Sequence, residues 1–486
     1  MDALPPALQQ AAIDFLVELG EQIGEDDEGR HGRRMLQDEG GRGLRFFPAS
    51  YTIAGLYRLF LGHTSQDPAA RQAASVVSFS TFRSLFRSKP CQHLRIRHPR
   101  SNVCDDCTMF RAFYRQHLID ESAQTSVREE DHITQWQRHI QLAKEARQAY
   151  NADLRQARKT LALLRAGTLP LAGYVAHYTF DFMQSLALPQ FADQTKDMYY
   201  FSLRNIHLFS IRDDGAQCQY NYLYDEGEGG KGANYVLSLL FHFLCHREHE
   251  AAAIVMHLHA DNCCGQNKNN LVMQFFVLLV SLGVLTHVEM KFLIKGHTHC
   301  SVDGGHGMIK KVWRTHDVFT IEQTARVVEM VSTTEGLHHA IVVSAQNFFD
   351  WDRLLSAYFR KLPKILSFQQ FEMDARRPGI LRYRQHHTEP WQEWCLFKKG
   401  RESLPSNVSS IAAIQRHLTP LPPPGIPLKK QHVLYEKVRK YVPPAYQDVI
   451  CPRPDDYQEK QADTNDNMHE ESNIPCKEIM REAKIL

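Results

Sequence analysis

The spacing of apolar side chains changes period several times between residues 169 and 330, and each change marks an element. Tyr174 to Met183 reads as a strand. Tyr199 to Ile211 and Gln219 to Tyr224 read as two more, joined by the turn Arg212-Asp213-Asp214-Gly215. Gly232 to His246 has the pattern of a helix, Ile254 to His259 of a strand, Leu271 to Leu282 of a helix and Val288 to Ile294 of a strand. A further helix is expected after Asp303. The order β-β-β-α-β-α-β-α predicts a mixed α/β domain that opens with an antiparallel meander.

The flanking segments pattern differently. Residues 1–45 are charged and glycine-containing and are expected to be disordered. Residues 46–127 are expected to be helical: Leu56, Tyr57, Phe60 and Leu61 have helical spacing, and Ser80 could cap a helix carrying Phe82, Leu85 and Phe86. These helices suit either a helix-turn-helix or a small packing domain. Residues 128–168 form one long polar helix with Ile133, Trp136, Ile140, Ala143, Tyr150, Leu154, Ala157 and Leu161 roughly on one stripe. Such a stripe serves an arm or coiled coil that joins copies of the chain, or packing onto its own domain. Residues 331–420 suggest a small α+β region, 421–451 a proline-stiffened linker and short helix, and 452–486 a polar, disordered tail.

Composition adds limits. The 486 residues carry a net charge of +2, so any nucleic-acid surface has to be a local patch. No signal peptide is evident, and the longest apolar run, Leu271 to Leu285, is too short to span a bilayer. Eleven cysteines in such a chain read as thiols, some of them metal ligands. Cys104-Asp105-Asp106-Cys107 is a knuckle, and Cys91 with His93 could complete a four-ligand zinc site; a pair of buried thiols is the other reading.

The densest chemistry lies in His259-Ala260-Asp261-Asn262-Cys263-Cys264-Gly265-Gln266-Asn267-Lys268-Asn269-Asn270. An aspartate at the end of a buried strand is costly unless something pairs with it, and a metal ion is one such partner. Asp181 closes the first strand and Asp303 follows the fifth. Each alone would more often be a cap or turn residue. The element order is that of ribonuclease H, a fold in which the first and fourth strands are neighbours and the helix after the fifth leans over their ends. On that fold Asp181, Asp261 and Asp303 converge. Hard cations such as Mg²⁺ or Mn²⁺ favour such oxygen ligands, and two-metal phosphodiester cleavage requires them. Asn262, Gln266, Asn267, Lys268, His297, His299, Lys310 and Lys311 are candidates for contacting substrate phosphate.

The motif Ala260-Asp261-Asn262-Cys263-x-Gly265-Gln266-Asn267-Lys268-Asn269, then Gly296-His297-Thr298-His299 with Asp303 and Lys310-Lys311, resembles a eukaryotic family of transposon-derived proteins with a ribonuclease H-like, DDE-transposase-type core. Asn102 to Cys107, Lys231 to Asn234 and Ser238 are similar to that family as well, so the resemblance spans roughly residues 90–330. It implies a nuclear protein from a mobile element, or a domesticated descendant, with Asp181, Asp261 and Asp303 as the metal triad and DNA as partner. Gly304-Gly305, directly after Asp303, is a departure that weakens a helix start. Two other readings remain. One is a DNA- or protein-binding factor that has lost catalysis. The other is a metallophosphoesterase built on Gly296-His297-Thr298-His299, although the other motifs of that class do not precede it.

Overall fold

The computed structural model describes residues 5–23, 25–26, 44–49, 51–63, 77–97, 104–119, 127–246, 255–332, 337–401 and 411–457. Most of the two terminal segments expected to be disordered lies outside these residues. The N-terminal one nevertheless contains a helix, α1 (Pro6–Ile23), whose Ala12, Leu16 and Leu19 are buried. They pack against α2 (Ile53–His63), α3 (Phe79–Phe86) and a small sheet of β1 (Glu25–Asp26), β2 (Arg45–Phe47) and β3 (Leu94–Ile96). Phe47, Phe60, Phe82 and Cys91 fill this core. Ser78, rather than Ser80, caps α3 by accepting from the Thr81 N–H.

Two helices lead into the main body, α4 (Asp105–Ile119) and α5 (Val127–Arg165). The strands that follow are β4 (Val175–Phe182), β5 (Leu186–Leu188), β6 (Arg204–Asp213), β7 (Cys218–Asp225), β8 (Val255–Ala260) and β9 (His287–Phe292). Interleaved with them are α6 (Lys196–Tyr200), α7 (Ala233–Cys245), α8 (Asn270–Ser281), α9 (Ser301–Trp313), α10 (Ile321–Glu329) and α11 (Trp351–Tyr358). Residues 331–420 are not a separate region. Their strands β10 (His338–Val342), β11 (Gln370–Asp374), β12 (Ile380–Arg384) and β13 (Gln392–Cys395) join the same ten-stranded sheet.

The sheet order is β10-β7-β6-β4-β8-β9-β11-β12-β13, with β5 on β6. β4, β8 and β9 run parallel, β6 is antiparallel to both β4 and β7, and β11 is antiparallel to β9. Because side chains alternate along a strand, the register assigns each to a face. Ala176, Tyr178, Phe180, Met256, Leu258 and Ala260 share an apolar face buried under α7 and α8. Burying this layer stabilises the fold by about 25 cal/mol per Å² of apolar area removed from water. The opposite face carries His177, Thr179, His257, His259, Glu289 and Lys291, and it is covered by α5 and α9.

That placement decides what the long helix does. Tyr150, Leu154 and Ala157 of α5 are buried, and the helix packs against β4. The C-terminal half of its apolar stripe is therefore used within the chain and is not presented to a second copy. No helix among the described residues is long and apolar enough to cross a membrane.

Candidate active site

β4 and β8 pair as far as Phe180 and Ala260, so Asp181 on β4 and Asp261, just past the end of β8, directly follow that last pair. Asp303 enters from above, on the first turn of α9, which packs across β4 and β6. Thus the three aspartates singled out from the sequence come together at one end of the sheet. Burial, and then the charges of Asp261 and Asp303, push the Asp181 carboxyl up to about 8. The Phe182 N–H, which donates to the Asp181 Oδ1 at 2.7 Å, and the ammonium group of Lys231 offset this in part. The Lys231 Nζ donates to the Met183 carbonyl at 3.1 Å, and its charge acts on Asp181.

The other two carboxylates are held by their surroundings. The Asp261 Oδ1 accepts from the Cys263 N–H (3.0 Å) and the Asn267 Nδ2 (2.8 Å). Burial would raise Asp303, but the His299 imidazole at 3.2 Å and the Cys300 N–H at 2.8 Å outweigh it and hold the carboxyl at about 2. Asp303 thus lies within the first turn of its helix and not ahead of it. Gly305 explains the glycine pair that follows: a Cβ there would sit 2.0 Å from the Gln219 Oε1, so glycine lets α9 approach β7.

The amide-rich loop after β8 builds the site rather than reaching for substrate. Asn267 is fully buried and orients Asp261. Lys268 is 2% exposed, and its Nζ donates to Asn262 Oδ1 (2.9 Å) and Gln369 Oε1 (3.0 Å). Asn262 donates to the Leu293 carbonyl, and the Gln266 carbonyl accepts from Asn269. Asn262, Asn267 and Lys268 are committed within the protein through these hydrogen bonds. Lys310 and Lys311 differ. Lys311 is exposed, and Lys310 lines a surface cavity of about 540 Å³ with Arg314, Gln184 and Gln190.

His297 and His299 face different groups. His299 is 63% exposed beside Asp303. The His297 Nε2 lies 3.4 Å from Cys107 Sγ and 3.1 Å from His139 Nε2, and the latter is 3.2 Å from Cys104 Sγ. The two histidines therefore do not build the binuclear centre that the phosphoesterase reading requires. The zinc set expected from the sequence does not form either. Cys91 is packed into the N-terminal core, and neither it nor His93 joins Cys104 and Cys107, whose partners are His139 and His297. His139 was invisible in the sequence because it is one histidine on a long polar helix, with no local motif around it.

Beneath the carboxylates runs a buried polar chain that sequence reading also missed. The Asp214 Oδ2 pairs with His177 Nδ1 (2.8 Å), and His177 Nε2 with His259 Nδ1 (2.9 Å). Farther along, Asp153 of α5 meets His257 (3.2 Å) and Lys291 (2.8 Å). Burial would raise Asp153, but the His257 hydrogen bond and the Lys291 charge hold it well below the usual carboxylate range. Thr179 joins Ser301 (2.6 Å), and the Ser301 N–H donates to the Tyr150 hydroxyl (2.9 Å), so α5 and β4 together fix the start of α9. The only sequence trace of this layer is the alternation His257-Leu258-His259.

Residues 205–389 match a family model described as a domain of unknown function, DUF7869. That span runs from β6 past β12 and contains Asp261 and Asp303 but begins after Asp181. No match is found among curated proteins or among solved structures.

Proposed function

We propose that this chain cleaves DNA phosphodiesters by metal-dependent chemistry of the DDE-transposase type. The observation that carries the reading is the meeting of Asp181, Asp261 and Asp303 at one sheet end. The order β7-β6-β4-β8-β9, antiparallel and then parallel, supports it, since a ribonuclease H-like core has the same sequence of neighbours. The donor set suits Mg²⁺ or Mn²⁺. All three ligands are carboxylates, and a cation would offset the burial and the repulsion from Asp261 and Asp303 that push the Asp181 carboxyl up to about 8.

Asp181, Asp261 and Asp303 would hold the metal, which when bound supplies an activated water and charge neutralisation at the phosphate. The protein's own groups do the positioning. Asn267 and the Cys263 N–H aim Asp261, while His299 and the Cys300 N–H aim Asp303. Lys310, whose Nζ donates to the Gln184 Oε1 at 2.6 Å, and Arg314 line a surface cavity where they can meet a phosphate backbone. On this reading a freed 3′-hydroxyl then attacks target DNA, the chain acts in the nucleus, and it derives from a mobile element.

Nicking of supercoiled plasmid in Mg²⁺ or Mn²⁺ tests the reading. Asp261→Asn should lose at least about 100-fold in rate, a typical cost for removing a group that stabilises the transition state, while keeping the circular dichroism spectrum of the folded protein. Equal nicking by both proteins rejects it. Retained DNA binding with neither nicking nor Mn²⁺ binding would instead indicate a binding factor that has lost catalysis.

A further inference from the structure

We propose that Cys104, Cys107, His139 and His297 bind one zinc ion, and that this ion ties the helical arm to the loop that delivers Asp303. The four residues come from three distant places: the start of α4, the middle of α5, and the loop between β9 and α9. One ligand atom from each lies within 4.8 Å of all the others. A tetrahedral zinc with ordinary Zn–S and Zn–N bonds has edges of about 3.3–3.8 Å between its ligand atoms. Three edges here measure 3.1, 3.2 and 3.4 Å. Two thiols with two imidazoles is a soft-to-borderline set that favours zinc over Mg²⁺ or Ca²⁺.

Hydrogen bonding alone does not account for the arrangement. Each Nε2 faces both a sulfur and the other Nε2, and a neutral imidazole nitrogen carries at most one proton. A cation at the centre serves all four atoms at once. The surroundings fit as well. The His139 Nδ1 is turned toward the Asp106 carboxylate at 4.0 Å, the outer partner that a metal-bound histidine usually has. Arg147 donates to the His297 carbonyl at 3.0 Å, which fixes the loop from the α5 side. Gly296 has φ +80°, and a Cβ on it would fall 2.4 Å from the Cys104 Cβ, so only glycine lets this loop close onto the knuckle. Phe110 and Trp136 stack at 3.9 Å between α4 and α5.

The consequence is positional. Five residues separate His297 from Asp303, and His299 and Cys300, within that interval, hold the Asp303 carboxylate. A zinc at His297 would anchor one end of the segment, while the Tyr150 hydrogen bond to Ser301 anchors the other. This assignment does not depend on the carboxylates being catalytic.

The test is elemental analysis of the full chain purified under reducing conditions, together with the visible spectrum after cobalt substitution. One zinc per chain is expected, with a tetrahedral cobalt–thiolate spectrum. Cys107→Ser and His297→Asn should each lose the ion, and Cys264→Ser, at an exposed cysteine, should keep it. Asp106→Asn should weaken zinc binding by roughly 10–100-fold. Should the first two variants fail to fold, His297→Cys keeps a ligand in place and is expected to retain the metal with a shifted cobalt spectrum. Absence of zinc from the wild-type protein overturns the proposal. So does zinc content indifferent to both Cys107→Ser and His297→Asn. Because the readout is metal content, loss of zinc and failure of nicking are separate results.

Discussion

Asp181 shows how one side chain registers the whole site. Around it stand two other carboxylates, the Phe182 N–H and one lysine, and its carboxyl is pushed up to about 8 by burial and by those two acids. An unfolded aspartate titrates near pH ~4. Below that value both states are protonated and nothing is lost. Between about pH 4 and 8 the unfolded chain releases a proton that the folded chain retains, so stability falls as pH rises. In the absence of divalent cations, Asp181→Asn should therefore stabilise the protein, with a gain that grows from pH 5 to pH 8 by up to about 1.4 kcal/mol per pH unit. Urea unfolding in EDTA at pH 5, 6.5 and 8 measures this, and a gain independent of pH contradicts it.

At the scale of elements, the unusual feature is a sheet with one apolar and one polar buried face. α7 and α8 cover the first and are themselves buried nearly all round, α8 from Val272 to Val280 without a break. α5 covers the second, and its Asp153 has to meet His257 and Lys291 there. Lys291 also reaches Glu289 at 2.8 Å, so a single ammonium balances two carboxylates. Replacing it with methionine leaves both acids short of a partner. Lys291→Met should cost roughly 3–5 kcal/mol, the usual result of breaking a buried ion pair. A double variant with Asp153→Leu should lose less than the sum of the two single variants. Denaturant melts of the four proteins decide this.

Across the whole molecule, the C-terminal strands close the sheet on both sides. β10 extends it beyond β7, and β11, β12 and β13 extend it beyond β9. Their apolar residues, including Phe371, Met373 and Leu381, belong to the same core as Phe180 and Met256. A chain ended at residue 336 would expose two strand edges and part of that core. It should be recovered aggregated or unfolded, whereas the full chain should give a single folded species in size-exclusion chromatography and circular dichroism. A folded, monomeric truncation would show that the C-terminal strands are dispensable to the core.

The sequence by itself determined the elements and the polar residues at their ends. β4, β8, β9, α7 and α8 follow from local apolar periodicity, and Asp181 and Asp261 stand where those runs stop. The tertiary structure alone decided which residues meet. Lys268 and Asn267 looked like ligands for substrate because side-chain type is local information, but burial, which assigns them to the loop, is not. His139 and His297 are 158 positions apart, and no pattern near either points to the other. Strand register and helix packing bring them to Cys104 and Cys107, in the same way that register alone sets Asp181 beside Asp261.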